Sequence, residues 1–329
     1  MQLRILSAAD LKQALPMADA IEGMKDAYAQ LSMGQADVPL RARVVQPERQ
    51  GVSLFMPAYM RGSDDLAIKV VSVFPQNVQR GEPIIYGMVL VLDATNGRPQ
   101  ALIEGGTLTA IRTGAGGGAS ADLLARRDAK VMAMLGSGVQ ARVGLEAVCT
   151  VRNIETVLVY SPHRAHAERF AAEMAGQGPM PTQIEVVDSA ETAVRQADII
   201  YTATTSHRPT FAGTHIQPGT HIIGVGSFTP QMQEVDEITV QRSFVVVDGR
   251  AFAWEEAGEL IVARDKGLID ESHIQAELGE IVAGVKNGRT DDEQITFFKS
   301  VGVAVQDAVA ARIALQNAEA MGLGTVVEL

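Results

Sequence analysis

From position 129 the chain reads AKVMAMLGSGVQARVGLEAV, an apolar run that meets two glycines and then a helical pattern. Few backbone arrangements satisfy it. A glycine directly after a buried strand permits a turn of positive φ, a second lets a ligand approach the backbone, and a small third residue lets helix and strand pack closely. The helix that follows presents unpaired N–H groups and a partial positive charge. The stretch therefore reads as a Rossmann βαβ start, with Gly136, Ser137, Gly138, Val139, Gln140 and Ala141 cradling the pyrophosphate of a dinucleotide. The same residues would also serve a glycine turn that holds no ligand.

The surroundings agree with a parallel sheet. Short apolar segments at 131–135, 157–160, 184–187, 199–202, 221–224 and 243–248 alternate with helical patterns, the spacing of strands joined by crossover helices. At 329 residues, the chain is longer than one hydrophobic core usually spans, so a second domain is expected. The first hundred residues supply it in a different style. Positions 7–33 read as one helix, with Ser7 as cap, Asp10 three residues on and Gly34 as the stop. Segments 88–93 and 99–104, separated by Asn96-Gly97, read as an antiparallel hairpin.

An Ala- and Gly-rich helix over 107–124 joins the two, with a boundary near Ala119. Phe297, Val301, Val305, Val309 and Ile313 recur every four positions, which predicts a closing helix that returns to the first domain. The fold class is thus α/β: a Rossmann domain over 119–296 and an α+β domain over 1–118 with the helix 297–329.

Charge narrows the partners. A formal charge of −11 without a basic run disfavours nucleic acid and anionic membrane surfaces. The N-terminus lacks the apolar core of a secretory signal, and no apolar run reaches the ~18 residues of a spanning helix, so a cytoplasmic protein is expected. Cys149 is the one cysteine and reads as a buried thiol. His207, His215, His221 and His273 show no metal-ligand spacing, and no metal is expected.

Where the second Rossmann strand ends, an acidic residue would hold the 2′-hydroxyl of NAD. Here the chain reads Tyr160-Ser161-Pro162-His163-Arg164. Ser161, His163 and Arg164 suit a 2′-phosphate, which favours NADP(H) with NAD(H) still open; the same residues also fit the solvated start of a helix. Lys69, in LAIKVVSVFP, is an amine within an apolar strand, where burial would lower its pKa and suit proton transfer, unless it snorkels to an edge. Arg112 lies among small residues where a guanidinium can clamp a carboxylate or make an interdomain ion pair. Arg41 and Arg43 are further candidates, which strand alternation would place on one face.

Ala67-Ile68-Lys69, Phe74-Pro75-Gln76-Asn77, the 109–115 segment with Arg112, the 136–141 glycine turn and TFFKSVGVAVQDAVAA from Thr296 occur in this order. In these the chain resembles the ornithine cyclodeaminase and mu-crystallin family over nearly its whole length. The resemblance implies a homodimer whose first domain binds substrate and forms the interface. It implies Lys69, Arg112 and Arg41 around the substrate carboxylate and reacting carbon, and Thr204, Val225 and Val303 beside the cofactor. Two positions depart from ornithine cyclodeaminases. Leu54 and Phe228 stand where those enzymes carry the carboxylates that recognise a diamino acid or deprotonate its amine.

The expected activity is therefore NAD(P)H-dependent reduction of a small cyclic imino acid, 1-pyrroline-2-carboxylate or 1-piperideine-2-carboxylate. Ornithine cyclodeaminase or alanine dehydrogenase chemistry, and a non-catalytic crystallin-like ligand-binding role, are the alternatives.

Overall fold

The segments flanking Asn96-Gly97 do pair: Ile85–Asp93 and Pro99–Glu104 run antiparallel with Val89 opposite Ile103, and Gly97 supplies the turn with φ +75°. The computed structural model describes residues 1–329, which form two units, Met1–Arg112 with Ala304–Leu329, and Thr113–Val303. The division falls within the small-residue helix Gly105–Leu124.

In the first unit the sheet order is Thr325–Glu328, Gln2–Leu6, Pro99–Glu104, Ile85–Asp93, Asp65–Val73, Gly51–Met60, and this last strand pairs along its other edge with both Ala36–Asp37 and Ala42–Gln46. Only Gln2–Leu6 and Pro99–Glu104 pair in parallel. Met17–Ser32 and Ala304–Met321 pack together, and the latter lies on the sheet. At Gly23 a Cβ would come within 2.4 Å of Ile313 Cδ1, so the two helices meet at a residue without a side chain. Burial alternates along Asp65–Val73, with Asp65, Ala67 and Lys69 on the covered face. The strand's period of two thus carries a lysine inward.

The helix expected over 7–33 is instead two, Ala8–Ala14 and Met17–Ser32. Pro16 lies between them: it has no N–H to continue the ladder and pushes Leu15 out of helical conformation. Ser7 and Asp10 form the expected capping box.

In the second unit all eight strands are parallel, in the order Gln183–Val186, Thr156–Tyr160, Val131–Leu135, Ile199–Thr202, His221–Gly224, Thr296–Lys299, Phe244–Val247, Ile274–Glu277. The chain reverses its direction of strand addition beside Val131–Leu135, the switch point at which such sheets bind ligands. Tyr201 fills the space left by two glycines: a Cβ at Gly117 or Gly144 would meet its ring at 2.9 or 2.3 Å.

The period-four run does not start a helix at 297, because Thr296–Lys299 is an interior strand of the second sheet and the helix begins at Ala304. Phe297 and Phe298 are both fully buried, and a strand covered on both faces gives an unbroken apolar run that helical spacing also accommodates. Gly302, at φ +83°, turns the chain between the two. No helix is long and apolar enough to cross a membrane.

Candidate active site

Strand register fixes the centre of the first unit's site. Met56 stands opposite Lys69 across the sheet, so Leu54 and its partner Val71 share the Lys69 face. Lys69 is 3% exposed, and its Nζ lies 3.0 Å from both carboxylate oxygens of Asp307 and 3.2 Å from Thr109 Oγ1. Burial pulls its pKa down to about 8; Asp307 opposes that shift, while the charges of Arg112 and Arg41 reinforce it. The amine is therefore charged at neutral pH but close to releasing its proton.

Arg112 shares the same carboxylate, with Nε 3.2 Å from Asp307 Oδ1 and NH1 2.8 Å from Gln306 Oε1. Gln306 Nε2 in turn donates to the Tyr28 hydroxyl at 2.7 Å. All of these groups are buried. Two cations share one anion, which leaves a net positive charge in a site with little water to screen it. A monoanionic ligand would complete the balance. Arg41, half-buried just before the strand Ala42–Gln46, adds to the positive field at Lys69; Arg43, within that strand, is exposed. The two arginines expected on one face thus differ, because Arg41 precedes the regular pleat.

In the second unit the glycine turn has the expected geometry. Gly136 takes φ +109°, and a Cβ on it would stand 2.4 Å from the Ala203 carbonyl oxygen. Gly138 caps the helix Val139–Val151 without a side-chain hydrogen bond, and a Cβ there would meet nothing within 4 Å. Ala141 is buried against the sheet, and Gln140 Oε1 is buried without a hydrogen-bond partner. An uncapped N-terminus, open space at its glycine and an unsatisfied acceptor fit a dinucleotide pyrophosphate with its sugar hydroxyls. Arg142 bonds the carbonyls of Ser137 and Gly138 and steadies the turn.

Ser161 and His163 lie in the turn after Thr156–Tyr160 and Arg164 opens the helix Arg164–Met174, with the latter two exposed. Sequence reading finds no carboxylate there, but the fold brings two: Arg164 bonds Glu168 at 2.9 Å and Asp188 at 2.6 Å. Asp188 follows the adjacent strand Gln183–Val186, a proximity that linear sequence does not display. Thr204 follows the strand Ile199–Thr202, and Val225 and Phe228 follow His221–Gly224; Val225 is buried and Phe228 is 45% exposed. Val303 is buried at the end of this unit.

Asp307, Gln306, Thr109 and Tyr28 escaped the sequence reading. The available signal was an adjacent amide and carboxylate inside the apolar run GVAVQDAVAA, since a charge on a buried helix face demands a partner. Cys149 is buried, and burial pushes its thiol up to about 12, so it is inert.

The nucleotide cradle at a parallel-sheet switch point and a buried lysine able to give up a proton beside an anion site define a nicotinamide-nucleotide-dependent oxidoreductase acting on C=N bonds. The profile described as "Ornithine cyclodeaminase/mu-crystallin family" matches residues 1–322. The Delta(1)-pyrroline-2-carboxylate reductase of Bacillus cereus is 38% identical over 325 residues, covering 98% of this chain and 99% of that protein. Among solved structures, Thermococcus litoralis Delta(1)-pyrroline-2-carboxylate reductase in complex with NADH and L-proline is similar at 43% identity and a TM-score of 0.93, over 98% of this chain and 99% of the other. An archaeal alanine dehydrogenase dimer with bound NAD is similar at 31% identity and a TM-score of 0.92, with all of both chains covered. The chain belongs to the ornithine cyclodeaminase/mu-crystallin family.

Proposed function

We propose that the protein reduces 1-pyrroline-2-carboxylate to L-proline, or the six-membered 1-piperideine-2-carboxylate to L-pipecolate, with NADPH as the preferred donor and NADH as a second. The observation that carries this reading is the sharing of Asp307 between Lys69 and Arg112 in a buried site of net positive charge. Asp307 and Gln306 fix the guanidinium plane, and its remaining donors grip the substrate carboxylate. Arg41 adds positive charge on the same side. Lys69, poised near neutrality, gives its proton to the ring nitrogen while the adjacent carbon is reduced. A reduced nicotinamide, when bound, supplies the hydride.

Leu54, on the Lys69 face, gives the ring an apolar contact and offers no anion to a distal amine. Phe228 likewise places an aromatic ring where a diamino-acid enzyme would need a carboxylate. Arg164 is exposed and able to turn from Asp188 to a 2′-phosphate, which supports the NADPH preference. A homodimer is also part of this reading: the first unit's sheet leaves Val44, Val45, Ile85, Tyr86 and Met88 exposed, an apolar surface that a second copy would cover.

A panel of cyclic imines, and of 2-oxo acids with ammonia, assayed with both nicotinamide cofactors tests the proposal. Turnover of a cyclic imino acid without ammonia is expected. Turnover that requires ammonia and an open-chain oxo acid would replace this reading with an alanine dehydrogenase.

A further inference from the structure

Among the ionisable side chains without exposure in the parallel-sheet unit, none used by the proposed reaction, Glu234, Glu259 and Lys299 form one cluster. Glu234 is the most heavily bonded. Its carboxylate accepts from the Thr204 N–H at 2.6 Å, the Thr204 hydroxyl at 2.8 Å, the Thr202 hydroxyl at 3.1 Å, and the N–H groups of Gly226 and Ser227 at 2.7 and 3.1 Å.

The residue is itself held from behind. Its N–H donates to Glu259 at 3.0 Å, and its carbonyl accepts from the Thr210 N–H and hydroxyl at 2.8 and 2.9 Å. Glu259 accepts from the Ser227 hydroxyl, and Lys299 Nζ lies 3.5 Å from Glu259 and donates to the Ser227 carbonyl at 2.7 Å. Closeness is enforced at Gly226, where a Cβ would sit 2.5 Å from Glu234 Oε1 and 2.3 Å from the Thr204 carbonyl oxygen.

These five donors come from the last residue of Ile199–Thr202 and from the loops that leave the carboxyl ends of that strand and of His221–Gly224. That is the edge at which open parallel sheets receive ligands. The sheet order adds direction. Thr156–Tyr160 flanks Val131–Leu135 on one side, and Ile199–Thr202 followed by His221–Gly224 lie on the other. With the pyrophosphate at Gly136 and the adenosine end at the turn after Tyr160, the loops tied by Glu234 fall to the opposite half of the dinucleotide. A fully buried carboxylate is also costly, and a tie that only had to hold two loops together needs no charge. Burial does push the Glu234 carboxyl upward, yet every bond it makes in the structure is one it accepts.

We propose that Glu234 is a positioning residue that locks the loops following Thr202 and Gly224 into one surface and thereby orients the nicotinamide half of the dinucleotide. The proposal rests on the dinucleotide reading of this unit. A carboxamide cannot replace the carboxylate without turning an NH2 group toward a donor.

The test compares NADH with ADP-ribose, which lacks the nicotinamide, in binding titrations of the intact protein. Glu234→Gln should weaken NADH about tenfold or more and ADP-ribose by less than about threefold, the scale of one lost charge-assisted bond. Glu234→Asp, which keeps the charge one methylene shorter, should recover part of the loss, and it carries the test alone if the glutamine variant does not fold. Equal weakening of both ligands, or none, would show that Glu234 is only structural. If the parent protein binds neither ligand, or if Gly136→Val binds both as the parent does, the dinucleotide reading itself fails and takes the proposal with it.

Discussion

Asp307 follows Lys69 by 238 positions in the chain, and its two carboxylate oxygens both stand 3.0 Å from the lysine Nζ. The lysine belongs to a strand and the aspartate to the first turns of the helix Ala304–Met321. Without that carboxylate, burial and two arginines would all act against the charged amine. Burial is the larger influence on the Lys69 proton, and Asp307 is the group that opposes it.

Lys69→Met should lower kcat for imine reduction by about 10² to 10⁴, the usual contribution of a general acid, while dinucleotide affinity stays near that of the parent. In the parent, kcat should fall as pH rises through about 8, because the amine that donates the proton is then neutral. Stability carries the same signature. Below pH 8 folded and unfolded chains both hold the proton; between 8 and the ordinary lysine value of 10.5 only the unfolded chain does, so parent stability rises relative to Lys69→Met across that window. Thermal melts of both proteins at several pH values, with steady-state rates, measure all three effects.

Asp307→Asn should move the alkaline limb of the rate profile below pH 8, since the anion that raises the lysine pKa is gone. It should also cost about 3–5 kcal/mol of stability, because two buried cations lose their shared partner. Denaturant unfolding and a pH–rate profile of the same preparation separate these consequences. An unshifted limb would mean that Lys69 is not the titrating group.

Much of this arrangement was legible in the sequence and some was not, for physical reasons. The glycine turn was, because Gly136 and Gly138 act through backbone geometry that is local to a dozen residues. Lys69 was, because a lone amine in an apolar strand is conspicuous. Asp307 and Glu234 were not, since each acquires its meaning from partners that only tertiary folding supplies. The run from Phe297 to Ile313 misled for another reason: two buried phenylalanines satisfy a strand and a helix equally, and only Gly302 divides them.

Arg164→Ala should weaken NADPH by about ten- to hundredfold, roughly 1.5 to 3 kcal/mol, and leave NADH nearly unchanged if the guanidinium turns to a 2′-phosphate. Asp188→Asn should strengthen NADPH by releasing Arg164 from its present partner. Binding titrations with both cofactors decide the matter, and equal losses with each would leave Arg164 as the cap of a surface ion-pair cluster.

Ornithine should yield no detectable ammonia under conditions where the cyclic imino acid is reduced, since Leu54 and Phe228 offer a diamine no anion. Leu54→Glu combined with Phe228→Asp should restore ornithine binding measurable by calorimetry, with turnover lagging because catalysis needs tighter placement than affinity does. Ammonia release by the parent protein would overturn this account of its specificity.

The helix that carries Asp307 is made after the whole of the parallel-sheet unit. Domains generally fold as units in the order in which they leave the ribosome, but here Met1–Arg112 needs Ala304–Leu329, whereas Thr113–Val303 is continuous. At the usual ~5–20 residues per second, Lys69 and Arg112 wait roughly ten to fifty seconds for their counterion, before the helix that covers their sheet is made. The later-synthesised unit can finish first. A chain that ends just short of Ala304 still holds every strand of the parallel sheet but lacks the helix that covers the first one.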